Sequence, residues 1–94
     1  MGTFIGQWLV ENQPAREVLL ALRHDDTAQM SIQASNDPGN ATDESGTWVF
    51  ERAGVATITL EKSGHIVLRF DEGLFLSGGE FGDEGVPMLL YNPQ

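Results

Sequence analysis

Gly6-Gln7-Trp8-Leu9-Val10-Glu11 and Gly46-Thr47-Trp48-Val49-Phe50-Glu51 are near copies of one another, and the residues after each copy are also alike. After the first come Val18, Leu20 and Leu22, a polar turn, then Met30 and Ile32. After the second come Ile58 and Leu60, a polar turn, then Leu68 and Phe70. Apolar residues at every second position mark a strand with one buried face, because successive side chains leave opposite sides of the backbone. The repeat therefore predicts a doubled three-strand β-meander.

The alternation extends outward from the repeat. Phe4, Trp8 and Val10 point inward on the first strand, and Ala28, Met30, Ile32 and Ala34 on the third. Trp48 and Phe50 mark the fourth strand, Ala56, Ile58 and Leu60 the fifth, and Ile66, Leu68 and Phe70 the sixth. Leu74 and Leu76 mark the seventh, and Val86, Met88 and Leu90 the eighth. Asp25-Asp26, Ala53-Gly54, Ser63-Gly64 and Glu72-Gly73 supply residues that tolerate the backbone angles of short hairpins. Residues 36–44, with Pro38 and Gly39, and 78–85, rich in glycine, read as loops. The segment after Pro14 fits a short helix or a strand by pattern alone, and the repeat decides for strand. Eight strands left open would expose two edges, which closing strand eight on strand one removes. The expected fold is all-β: a small eight-stranded antiparallel up-and-down meander closed into a barrel.

Two Gly-x-Trp openings, each leading an apolar hairpin, resemble the short lipocalin-like domains of the calycin superfamily. The stretches Ile5-Gly6-Gln7-Trp8 and Ser45-Gly46-Thr47-Trp48 also resemble the small periplasmic barrels that inhibit secreted metalloproteases, although the cysteines common in that family are absent. The resemblance implies that Trp8 plugs one barrel end and that Trp48 is its pseudo-symmetric counterpart. It also implies binding or inhibition rather than catalysis.

A chain of 94 residues supports one small domain, taken as 1–94, burying about 60–65% of its unfolded surface. With no cysteine, disulfides, thiolate metal sites and cysteine nucleophiles are excluded, while the compartment stays open. No apolar run approaches the ~18 residues of a membrane helix. A net charge of −9, from five Lys and Arg against 14 Asp and Glu, repels phosphate backbones and anionic lipid, so neither nucleic acid nor membrane is an expected partner. It favours solubility and attraction to a protein with a basic surface.

In an up-and-down meander alternate connections fall at the same end. Connections one, three, five and seven include both long loops and define a wide end carrying Glu11, Asp37, Asp43, Glu44, Glu80, Asp83 and Glu84 against Arg16 and Lys62. That acidic rim is one candidate partner surface. A second is an apolar stripe on the outer faces of strands seven, eight, one and two, formed by Phe75, Leu89, Tyr91, Ile5, Leu9 and Leu19. A homodimer and a foreign protein both fit it. The lumen of an eight-stranded barrel holds side chains or one small molecule. Trp8, Trp48, Phe50, Phe70 and Met88 would line it for a small apolar ligand, or fill it as core.

Chemistry finds little footing. His24 and His65 lack the neighbours of a zinc shell, and the acid pairs Asp25-Asp26, Asp71-Glu72 and Asp83-Glu84 diverge at strand ends. Residues 37–44 carry oxygen ligands in the wrong order for a calcium loop, and the 78–82 stretch lacks the lysine of a phosphate loop. No cofactor or metal is expected, and no enzymatic activity. The sequence predicts a binding module or inhibitor engaging a protein through the rim, the stripe or both, with a carrier of a small apolar ligand as the alternative.

Overall fold

The computed structural model describes residues 2–37, 39–70, 73–83 and 85–91. Its eight strands are β1 (Gly2–Trp8), β2 (Arg16–Leu22), β3 (Thr27–Ala34), β4 (Thr42–Arg52), β5 (Val55–Leu60), β6 (Gly64–Phe70), β7 (Leu74–Ser77) and β8 (Val86–Tyr91). Each pairs antiparallel with the next, and β8 returns to β1 through Thr3 opposite Tyr91 and Gly6 opposite Met88, which closes the barrel. The up-and-down meander is the architecture that the doubled repeat predicts. Even-numbered residues face the lumen along the strands, because the pairings set even opposite even, as in Val18 with Ile32 and Ile58 with Ile66, up to the register shift after Phe50 where Arg52 meets Val55. Val18, Leu20, Met30, Ile58, Ile66 and Leu76 are sealed at the waist.

The two glycines that open the repeat have a common physical cause. A Cβ on Gly6 would overlap the Pro87 carbonyl and Met88 Sδ, and one on Gly46 would overlap the Thr59 carbonyl. Both positions are close approaches of one strand to its neighbour, where only glycine fits. The tryptophan two residues on shares the lumen face in each case. Because β1 and β4 run in opposite directions around the meander, Trp8 is sent to one end of the barrel and Trp48 to the other.

After Pro14 the chain forms the strand that the repeat predicts, with β2 beginning at Arg16. Two local expectations are corrected. β1 ends at Trp8, and Val10 lies before a turn where its carbonyl accepts the Gln13 N–H at 3.1 Å. Phe50, Phe70 and Leu90 keep the inward parity yet are 57%, 65% and 61% exposed, because they sit where β4, β6 and β8 run out at the tight-turn end and no opposite wall covers them. They do not fill the lumen.

Candidate functional site: the two barrel ends

The connections sort as the meander requires. Among the described residues, the connections after β1, β3, β5 and β7 fall at the wide end, and 23–26 and 53–54 lie at the other. The loop between β7 and β8 is not merely a connector. Gly79–Phe81 forms one short 3-10 turn, and Phe81 folds inward to 6% exposure. Its ring meets Trp8 edge-to-face at 4.8 Å between centroids, an arrangement that aromatic quadrupoles favour. The Gly78 N–H donates to the Gly82 carbonyl at 2.9 Å, and both glycines adopt positive φ (91° and 73°), so this reversal suits residues without a Cβ. The Arg16 guanidinium stacks 5.2 Å above the Trp8 ring and donates to Gln13 Oε1 at 2.9 Å. Trp8 is thus the plug of the wide end, with Phe81 as its partner.

Glu44, grouped by sequence with the solvated rim, turns inward instead. It is 9% exposed. Its Oε1 accepts the backbone N–H of Lys62 at 2.9 Å and of Ser63 at 2.8 Å, and its Oε2 accepts the Ser63 hydroxyl at 2.6 Å. Burial pushes the carboxyl up, but the Ser63 hydroxyl, the two N–H donors and the Lys62 charge together hold it below its ordinary value. Glu44 therefore clamps the turn between β5 and β6 as an anion. The parity of β4 placed it there: counting back from Trp48 through Gly46 reaches the lumen face at Glu44.

Above the plug lies a mouth of about 320 Å³ lined by Trp8, Arg16, Ile32, Thr42, Glu44 and Glu80. Glu11, Asp37, Asp43, Glu80 and Asp83 are exposed around the wide end, while Glu84 lies outside the described residues. Asp37 accepts a hydrogen bond from Asn40 Nδ2 at 3.0 Å, and Glu80 accepts the Ser63 hydroxyl at 3.4 Å.

The outer stripe comes together in part. Ile5 pairs with Leu19 on one side and with Leu89 on the other, which makes a cross-strand apolar row. Phe75 stands opposite Pro87, two residues from Leu89 on β8. A shallow groove of about 410 Å³ between β1 and β8 runs beside this row. Tyr91, opposite Thr3, lies at the tight-turn end, whereas Leu9 comes directly after the last residue of β1 at the wide end, so these two are set apart.

The tight-turn end holds a third feature. A cavity of about 270 Å³ opens there among Phe4, Leu22, Trp48, Phe50, Leu68 and Phe70. Trp48 forms its floor, with Nε1 donating to the Arg23 carbonyl at 2.8 Å and the ring edge-to-face against Phe50 at 5.4 Å. Of the candidate ligand residues, Trp48, Phe50 and Phe70 meet here, Trp8 is the opposite plug, and Met88 is core between Gly6 and Leu74. Phe81 escapes a reading by pattern because it interrupts a glycine-rich loop with no periodicity. An isolated aromatic between glycines is its only signal. Among the described residues, no three His, Asp or Glu side chains gather closely enough to hold a metal ion. His65 shares a hydrogen bond with Thr59 Oγ1 at 3.0 Å.

No family model and no curated protein matches this chain. Among solved structures the chain is similar to the Cpx pathway activator NlpE from Escherichia coli, with a TM-score of 0.67 and 19% sequence identity over 87% of this chain and 44% of that one. The likeness is one of fold, that of a lipocalin-like barrel, and the chain spans less than half the length of NlpE.

Proposed function

We propose that this barrel acts by binding rather than by chemistry, as a module or inhibitor that engages a protein partner. The observation that carries this reading is the cross-strand row Leu19–Ile5–Leu89, with Leu89 74% exposed. Apolar side chains aligned across three strands of an outer face are what an interface core presents, and the acidic wide end adds a field that draws basic surfaces. The calycin and inhibitor resemblances, together with a fold shared with a pathway activator, agree with such a role.

Size-exclusion chromatography with light scattering, at low salt and at ~1 M salt where the screening length is about 3 Å, tests it. A dimer that persists at high salt and dissociates in Leu89→Lys assigns the stripe to a second copy. A monomer directs the test to photo-crosslinking from position 89 in the native host. Crosslinks to a partner that vanish with Ile5→Lys support a foreign interface, and their absence overturns the reading. A second reading, carriage of a small apolar ligand, is favoured by the unfilled cavity at the tight-turn end.

A further inference from the structure

We infer that the barrel binds a small, uncharged, aromatic or similarly flat apolar molecule through its tight-turn end, with Trp48 as the floor and Phe50 and Phe70 as the rim. This rests on the carrier reading and is independent of the docking one. Parity carries the inference. In a filled barrel a lumen-facing side chain is buried, yet Phe50, Phe70 and Leu90 all have lumen parity and all are more than half exposed. Of these, Phe50 and Phe70 rim an opening. The opposite end offers no such apolar entry: Phe81 and Trp8 close the lumen beneath its mouth, and Arg16, Asn40, Thr42, Glu44 and Glu80 make that mouth polar.

The walls are built for shape. Phe50 stands opposite Ala56, and Ala56 opposite Leu68, so a small residue lies between two large ones and leaves the hollow over the Trp48 ring. The hairpin at Ala53-Gly54 is tied to the end of β6 by the Phe70 N–H donating to the Gly54 carbonyl at 2.8 Å, which fixes the rim. The lining side chains carry one polar atom, Trp48 Nε1, and it is already committed to the Arg23 carbonyl. A charged ligand group inside would lose its water with nothing to replace it. An apolar cavity of ~150 Å³ suffices for benzene, so about 270 Å³ suits a bicyclic ring system. Rings entering between Phe50 and Phe70 meet edges and faces in the geometries that aromatic pairs prefer.

The test uses naphthalene as the probe, titrated into protein with ¹³C-labelled Ile, Leu and Val methyl groups. Saturable shifts are expected at Leu22, Val55, Leu68 and Leu74, with Ile32 at the wide end and Ile5 and Leu89 on the outer stripe unmoved. Phe70→Ser, an exposed position, is expected to weaken binding about tenfold, the upper end of one aromatic pair, while leaving the dispersed methyl spectrum of a folded barrel. Shifts centred on Ile32 would overturn the tight-turn site and keep a carrier. The absence of saturable shifts anywhere would overturn both, and shifts confined to Ile5 and Leu89 would do the same.

Discussion

The end of the barrel with the longest loops is the closed one, and the end with the shortest turns is open. Loop length by itself does not decide closure. What decides it is whether a connection has residues to spare. The stretch from Gly78 to Gly85 is long enough to drop Phe81 onto Trp8 and still return to β8. The Ala53-Gly54 hairpin spends both residues on reversing the chain and has none to fold over the mouth, so Phe50 and Phe70 stay uncovered beside it. The chemistry of the two ends divides along the same line: the wide end presents an acid-rimmed mouth over the Trp8–Phe81 pair, and the tight-turn end an apolar hollow.

Four substitutions break or sharpen that contrast. The largest effect belongs to the waist that both ends share. Gly46→Ala would drive a methyl into the Thr59 carbonyl, a backbone atom that moves only if β4 and β5 separate. A loss on the order of 4 kcal/mol, at the top of the range for overpacking, is expected in urea denaturation. A loss below about 1 kcal/mol would mean that the glycine at this position is not a steric requirement of the β4–β5 pairing. Next comes Phe81→Ala, which removes the plug. About 3 kcal/mol is expected, as for other buried aromatics. Trp8 emission should shift to the red as water reaches the ring, with Trp48→Phe as the background that isolates its signal.

The sequence carries these features unevenly, for physical reasons. Period-two alternation reports a face, so all eight strands and the sorting of connections by end are legible directly. Alternation does not report height along the barrel axis. Phe50 and Phe70 therefore read as lumen filling although they overhang its rim. Glu44 shows the reverse error. Its charge suggests solvent, while its parity with Gly46 and Trp48 places it inside, and the two N–H donors that make an inward carboxylate stable come from residues 62 and 63, remote in sequence. Phe81 has no pattern to belong to, since its partner Trp8 lies at the far end of the chain.

Glu44→Gln tests the clamp. Replacing an anion that accepts three hydrogen bonds by a neutral amide should cost about 2 kcal/mol at neutral pH. The pH dependence has a definite sign. Above the ordinary value of 4.5 both folded and unfolded chains hold the group ionised, and its contribution is whole. Below it the unfolded chain takes up the proton first, and the contribution is lost as pH falls through the lower folded value. The stability gap between the parent chain and Glu44→Gln should therefore stay constant from neutral pH to about pH 5 and narrow below that. A gap that is flat throughout the acid range would show that the carboxylate contributes nothing as an anion.

The smallest expected effect is the most discriminating for the two ends. Phe70→Ser deletes a ring as large as that of Phe81, from the opposite end of the barrel, yet at 65% exposure against 6%. If the tight-turn end is open in solution, little apolar surface leaves water there on folding, and the cost should stay within about 0.5 kcal/mol, as for other surface positions. A cost approaching that of Phe81→Ala would mean that the rim closes over the hollow. The two phenylalanines thus measure, by one difference in denaturation midpoint, whether the barrel is sealed at one end or at both. Saturating naphthalene should widen the stability of the parent chain over Phe70→Ser, because a ligand that binds the folded state stabilises it in proportion to its affinity.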